Sequence, residues 1–400
     1  MKKSLLAVAV LGAFAGSALA ADVTLYGVVD TGFAYTHTKT NGAKVNKFEM
    51  ISGRQAGSRW GLKGVEDLGN GYKVGFILES GFNSDTGNQA VAGKLFNRQA
   101  TLSVEGPFGQ ILAGRMGSVN QGTSSVGKLG MLSAFGTSYG DYSVNAASVF
   151  ASDTSRDNML TYVTPKFAGF QVYAQYSSGS DGVENKSNNT YKYVDYTNGS
   201  GQTYEAVDAK ADRYAALAAT YSNGPLNLYG AVDRIFYGHK VGVDMDDSLT
   251  VTFGGNYDFG VAKVFGGVQY FDEVSTSTLK GATSGVWTDT ATDSGKVTSY
   301  KVKGFGVNLS TAIPAFGGNI LAGIGYMDGE TADSVKGDAN KFDIKRYRAT
   351  VGYAYPFSKR TQVYAAVGYG KDERDWNSAA KKDKNKVEAA TAMFGLRHNF

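Results

Sequence analysis

Leu249-Thr250-Val251-Thr252-Phe253-Gly254-Gly255-Asn256-Tyr257-Asp258-Phe259 sets an apolar or aromatic residue at nearly every second position, with small or polar residues between. A period of two sends alternate side chains to opposite faces of a strand, so one face meets an apolar medium and the other lies near water. The same alternation runs through Phe170-Gln171-Val172-Tyr173-Ala174-Gln175-Tyr176-Ser177 and Leu226-Asn227-Leu228-Tyr229. At the chain end Ala390, Ala392, Phe394 and Leu396 alternate with Thr391, Gly395 and Arg397. All 5 prolines, at positions 107, 165, 225, 314 and 356, fall in short breaks between such runs. Two further breaks, Asp67-Leu68-Gly69-Asn70-Gly71 and Asp258-Phe259-Gly260-Val261-Ala262, lack proline. Proline fixes φ and has no N–H to donate, so laddered strands exclude it.

These seven tight turns alternate with longer gaps rich in Gly, Ser, Asp and Lys, among them 37–55, 84–94, 119–157, 179–212, 275–297 and 372–386. Seven turns join fourteen strands; one more precedes the first gap and one follows the last, giving sixteen. The layout predicts an all-β fold over residues 21–400: a transmembrane antiparallel β-barrel of 16 strands with short periplasmic turns, long extracellular loops and both termini at the short-turn rim. Closure is demanded by the solvent, because an open sheet edge in lipid leaves unpaired backbone groups at several kcal/mol each. A soluble sandwich or a β-solenoid has no need of this turn asymmetry. Tyr353 and Tyr355 before one turn, Phe167 and Phe170 around another, and Phe394 and Phe400 at the end suit a membrane interface.

Composition excludes several classes. The 53 glycines come with only 5 prolines, which fits neither collagen nor Pro-rich disorder. No cysteine is present, so there is no disulfide framework and no thiol nucleophile. A formal charge of +4 gives no electrostatic footprint for nucleic acid. At the N-terminus Lys2 and Lys3 precede an apolar core and Ser17-Ala18-Leu19-Ala20. This pattern predicts a cleaved signal peptide over residues 1–20, and with it export by a bacterium.

Read in order, a set of fragments resembles the Gram-negative general porins, nearest their β-proteobacterial branch. They are Val23-Thr24-Leu25-Tyr26-Gly27, Ser58-Arg59-Trp60-Gly61-Leu62-Lys63-Gly64, Glu66-Asp67-Leu68-Gly69-Asn70-Gly71, Asn97-Arg98-Gln99-Ala100, Leu112-Ala113-Gly114-Arg115, Leu160-Thr161-Tyr162-Val163-Thr164-Pro165 and Gly395-Leu396-Arg397-His398-Asn399-Phe400. The resemblance implies a homotrimer in the outer membrane, loop 3 folded into each lumen, and passive diffusion of ions and small hydrophilic solutes. It also implies that Phe400, with Leu396 and Phe394, is the signal read by the barrel assembly machinery.

Strand phase assigns charges to the lumen. Trp60 and Leu62 on the lipid face put Arg59 and Lys63 inside, and Tyr347, Val351 and Tyr353 do the same for Arg346 and Arg348. A charge on the lipid face costs about 2–4 kcal/mol at mid-depth. Leu112, taken as outward, sets Arg115 inward; Arg98 shares phase with Leu102 and Val104 and needs a bulge to turn in. By resemblance Arg59, Arg115 and Arg156, with Arg98 beside them, form the basic wall facing loop 3, which falls within residues 117–156. That loop lacks the acidic Pro-Glu-Phe-Gly-Gly tip of the enterobacterial pattern, and its acids before Arg156 are Asp141 and Asp153. A wall of arginine opposite a weakly acidic loop predicts modest anion preference.

Catalysis, a cofactor and a metal find no support. His37, His239 and His398 share no obvious site. Asp244, Asp246 and Asp247 lack the Gly and Glu of a calcium loop, since Leu249 and Gly255 stand at those positions. The run Lys381, Lys382, Lys384, Lys386 contacts lipopolysaccharide or solvates its loop. A surface adhesin and a substrate-specific channel stay open as alternatives.

Overall fold

The computed structural model describes residues 23–140, 142–152, 155–180, 211–238, 246–276, 279, 291–293, 296–298, 301–334, 341–376 and 384–400. The leader expected over 1–20, Asp141, Asp153, Asp244, His239, Lys381 and Lys382 lie outside these residues. The strands are β1 (Thr24–Thr40), β2 (Ala43–Ser52), β3 (Arg59–Gly69), β4 (Tyr72–Gly81), β5 (Gln99–Gly106), β6 (Gly109–Gly117), β7 (Ser155–Val163), β8 (Phe170–Ser177), β9 (Arg213–Asn223), β10 (Leu226–Phe236), β11 (Ser248–Asp258), β12 (Lys263–Ser275), β13 (Ala291–Asp293), β14 (Lys296–Thr298), β15 (Lys301–Ala315), β16 (Gly318–Thr331), β17 (Phe342–Pro356), β18 (Thr361–Trp376) and β19 (Lys384–Asn399). β13 and β14 form a hairpin of their own; the other strands make one 17-stranded antiparallel sheet.

The sheet closes because β1 pairs with β19 from Val28↔Asn399 to Thr40↔Val387. On its other side β1 pairs with β2 through Thr31–Thr40 and with β3 through Thr24–Val28. β2 and β3 therefore fill one position in the wall, broken at residues 53–58, and seventeen segments make the sixteen positions of a closed barrel. Short turns at 69–72, 106–109, 163–170, 223–226, 258–263, 315–318 and 356–361 all lie at the rim that holds both termini.

One gap departs from its sequence reading. Residues 37–55 read as a polar loop, but β1 runs on to Thr40 and β2 begins at Ala43. Asn41 and Gly42 have φ of 49° and 96°. Positive φ at both central residues is the demand of a type I′ hairpin turn, and Asn-Gly is the pair that meets it.

On the outer surface, exposed apolar side chains alternate with inward ones, as lipid contact requires. Two rings of aromatics bound this band. At the short-turn rim Tyr72 and Phe108, Phe170 and Tyr221, Tyr257 and Phe259, and Tyr355 and Phe357 pack with ring centroids 6.4, 4.6, 4.5 and 5.4 Å apart. Towards the loops Phe305, Tyr326 and Tyr347 follow one another at 6.2 and 5.1 Å.

The lumen is not uniformly wet. The segment between β6 and β7, loop 3, contributes Val119, Val126, Leu129, Leu132, Val149 and Phe150 to a buried cluster with Leu112 and Met116 of β6, Met159 of β7, Tyr173 of β8 and Tyr229 of β10. The loop carries its own apolar residues, so burial against the inner wall stabilises its folded-in position at roughly 25 cal/mol per Å² removed from water. Close approach is permitted where the wall has no side chain. A Cβ on Gly306 would meet the Val149 carbonyl oxygen at 2.0 Å, and one on Gly325 the Val149 side chain at 2.9 Å.

Candidate functional site

Loop 3 is tied to the wall at each stage of its path. The Val119 N–H donates to Gln175 Oε1 at 2.7 Å, and Asn120 reaches Asp233 and Thr250 at 3.3 and 3.4 Å. Asn256 donates to the Met131 carbonyl at 3.0 Å, Ala134 N–H to Ser310 Oγ at 2.9 Å and Val144 N–H to Thr350 Oγ1 at 2.9 Å. Gln269 takes both the N–H and the carbonyl of Ala151, at 2.6 and 3.0 Å. These partners lie on β8, β10, β11, β12, β15 and β17. The loop thus covers that arc of the wall, and the open passage is left against β2 to β5 and β19.

A cavity of about 490 Å³ marks this passage. Its lining carries the guanidiniums of Arg54, Arg59, Arg98 and Arg397, facing Thr123, Thr137, Ser138 and Asn145 of loop 3. No carboxylate lines it among the described residues. Glu79 stands behind the arginines: its Oε1 accepts from Arg98 Nε at 2.6 Å, and Arg59 Nε lies 3.4 Å from Oε2. Tyr26 Oη donates to the same carboxylate at 3.0 Å, and the Lys63 ammonium sits 5.2 Å from the Tyr26 ring centre. Four guanidiniums against Glu79 and the buried Asp30 leave the passage with excess positive charge.

Two local devices place these groups. Asp30, buried on β1, accepts the N–H groups of Gln55 and Ala56 at 2.8 and 2.7 Å and the Tyr364 hydroxyl at 2.7 Å. It thereby fixes the break between β2 and β3 that carries Arg54. Gln55 donates to Tyr139 Oη of loop 3 at 2.7 Å. Burial pushes the Tyr139 hydroxyl up to about 12, so it stays protonated at neutral pH. Arg98 precedes β5, whose alternation begins at Gln99, so no bulge is needed to turn it inward.

The other expected site residues are placed apart from this cluster. Lys63 lies below it on the inward face of β3, opposite Ile77. Leu112 faces inward into the cluster under loop 3, contrary to its expected lipid position. Arg115 consequently takes the other face, opposite Ala100 and in phase with Leu102 and Ala113. There its Nε donates to the Asn97 carbonyl at 2.8 Å and its guanidinium pairs with Asp157, which also binds Lys94 at 2.6 Å. Arg156 turns inward but is buried, its guanidinium 4.7 Å above the Tyr214 ring. Arg346 and Arg348 also point inward, yet they are 1 % and 3 % exposed and sealed beneath loop 3. Both bind the Asp372 carboxylate, at 3.0 and 2.8 Å, and Arg346 Nη1 donates to the Ser148 carbonyl of loop 3 at 2.7 Å. Phe394, Leu396 and Phe400 face outward, and Phe400 joins Gly27 through two backbone hydrogen bonds of 3.0 Å at the barrel seam.

Arg54, Arg397 and Glu79 are site residues that the sequence reading does not single out. Arg397 alternates with Leu396, and Glu79 alternates with Phe76 and Leu78, so the period-two rule places both inside. Arg54 carries no such signal, because it stands in the break between strands.

Comparison with known proteins bears on this geometry. A family model described as Gram-negative porin matches residues 7–375. An outer membrane porin protein of Bordetella pertussis is 32% identical over 430 residues, covering 100% of each chain. An anion-selective porin from Comamonas acidovorans superposes with a TM-score of 0.65 at 24% identity, over 95% of this chain and 100% of that one. The trimer form of OmpT from Vibrio cholerae gives a TM-score of 0.56 at 17% identity over 95% and 100%.

Proposed function

Because the chain belongs to the Gram-negative porin family and forms a channel of the outer membrane, we propose that the channel prefers anions and that Arg54, Arg59, Arg98 and Arg397 set this preference. The observation that carries the reading is the charge of the passage: among the described residues four guanidiniums line it and no carboxylate does, and Glu79 behind them is held by two of the four. Fixed charge in a narrow passage raises the local concentration of counter-ions and lowers that of co-ions. The porin from Comamonas acidovorans, which shares this fold, is anion-selective, and that is in keeping with the reading. The zero-current potential across a planar bilayer under a potassium chloride gradient tests it: the sign expected is that of chloride permeation, and the potassium sign overturns the assignment.

The same reading includes three assembly steps. Residues 1–20 are removed after Ala20 on export, which the N-terminal sequence of the mature protein checks. The mature chain forms a homotrimer, as the trimer form of OmpT does, and cross-linking in outer membranes reads its mass. Phe400 and the outward Leu396 and Phe394 serve the barrel assembly machinery, and the outer face meets lipid and lipopolysaccharide. Deletion of Phe400 is expected to lower trimer yield; unchanged yield removes that role.

A further inference from the structure

We propose that a second cavity, on the short-turn side of loop 3, is a binding site for a free zwitterionic α-amino acid. It encloses about 350 Å³ and is distinct from the passage lined by arginine. Residues 54, 56, 138 and 140 line the passage, whereas Gln55 and Tyr139 between them line this cavity. The hydrogen bond from Gln55 Nε2 to Tyr139 Oη, 2.7 Å long, therefore stands between the two. The other lining residues come from the turn between β11 and β12, from β15 to β18 near their short-turn ends, and from Ala134 of loop 3. The cavity thus lies at the mouth that holds the termini, beyond the arginines.

Its chemistry is unlike that of the passage. One carboxylate, Asp258, and one ammonium, Lys263, line it, and among the described residues no other charged side chain does. The two are a directly opposed pair on β11 and β12. Opposed side chains share a face with their Cβ atoms about 4.5–5.5 Å apart, and opposite charges so placed attract. Here they are kept from pairing. Asp258 Oδ1 accepts the Gly260 N–H at 2.9 Å, and the Lys263 ammonium lies 5.5 Å from the Phe265 ring centre. Among the described residues no ion pair joins Asp258 to Lys263. Two opposite charges at one end of a cavity, and none at the other, fit a molecule whose ammonium and carboxylate sit on one carbon. A peptide carries its two charges at opposite ends.

The rest of the cavity suits the side chain of such a ligand. Ala312, Pro314, Leu321 and Ala354 give it a small apolar floor, and Gln55, Asn319 and Gln362 bring three carboxamides. Among the described residues the Asn319 and Gln362 side chains form no hydrogen bond, and Gln55 Oε1 is buried without a partner. A buried acceptor left unpaired is costly, and a donor on the ligand relieves that cost. Carboxamides offer both donor and acceptor, so a side-chain amide is their best match and glutamine the probe of choice. A zwitterion has no net charge, so the arginines of the passage neither repel it nor hold it.

The test titrates L-glutamine into the full chain in detergent, with heat-modifiable gel mobility reporting that each variant folds. Saturable binding is expected. Lys263→Gln is expected to weaken it about tenfold, as loss of a charge-assisted hydrogen bond implies. Asp258→Asn keeps an oxygen for the Gly260 N–H and is expected to lose as much. L-Glutaminamide, which lacks the carboxylate, is expected to bind the unaltered chain more weakly and to lose nothing further in Lys263→Gln. N-Acetyl-L-glutamine, which lacks the ammonium, is expected to behave likewise towards Asp258→Asn. Absence of saturable binding, or an equal loss for glutamine and glutaminamide in Lys263→Gln, overturns the proposal. Glycylglycine binding as tightly as glutamine overturns the amino-acid class. Binding is read without conduction, so a zero-current potential of potassium sign would break the anion reading and leave this site standing.

Discussion

The two sides of the lumen use the same residue in opposite ways. Under loop 3, Arg346 and Arg348 are buried, share the Asp372 carboxylate and hold the loop through the Ser148 carbonyl. On the bare side, Arg54, Arg59, Arg98 and Arg397 line an open cavity and face hydroxyl and amide groups. Alternation sends Arg59, Arg346, Arg348 and Arg397 alike inward. Whether an arginine becomes a structural tie or lines the open cavity is decided by whether loop 3 lies over it.

The sharpest way to break this contrast is Asp372→Ala. It leaves two buried guanidiniums without their shared counter-charge, and removal of one partner of a buried pair costs about 3–5 kcal/mol. Loss of folded barrel, or noisy conductance from a loosened loop 3, is expected in urea-gradient and single-channel measurements. Arg59→Ala on the bare side, where the side chain is partly solvated, is expected to cost about 1 kcal/mol or less. Next in size is Gly306→Val. Its Cβ would lie 2.0 Å from the Val149 carbonyl, so loop 3 must move towards the passage or the barrel must yield, at about 1–3 kcal/mol. Lower single-channel conductance is the expected readout.

Selectivity divides the two sides more finely. Arg59→Glu with Arg397→Glu reverses two charges in the passage, each acting on a passing ion by about 1 kcal/mol at ~4 Å in water-like surroundings. The zero-current potential is expected to move clearly towards potassium. Glu79→Gln removes the carboxylate that pairs with Arg59 and Arg98 and is expected to move it the other way by about half as much, on the same scale. The smallest effect belongs to Arg115→Glu. Its guanidinium faces away from the lumen onto Asp157, so the potential is expected to stay as it was, although the segment between β4 and β5 loses an anchor.

Much of this is legible along the chain, and the misreadings have physical causes. The seven turns and sixteen wall positions follow from proline exclusion and the period of two. Arg59, Lys63, Arg346 and Arg348 take the inward phase for the same reason. Leu112 and Arg115 exchange faces because an apolar residue need not mean lipid: the inner wall under loop 3 is itself apolar. Resemblance carries Arg156 to the passage, but it packs on Tyr214 beneath the loop. The Asn41-Gly42 turn hides inside a polar stretch, although its φ requirement is written in those two residues.

By itself the sequence determined what local chemistry controls: where strands break, which side chains share a face, and which rim holds the short turns. These are properties of one residue and its neighbours, set by φ, by the missing proline N–H and by the alternation of Cβ directions. Only the tertiary structure decided what each inward face meets. Loop 3 crosses the lumen through contacts between residues far apart in the chain, such as Ser148 with Arg346 and Ala134 with Ser310. Burial is a sum over all such neighbours, and no pattern along one strand contains it. The abundance of glycine belongs to both levels: Gly42 answers to its own φ, and Gly306 to a loop that only the closed barrel brings against it.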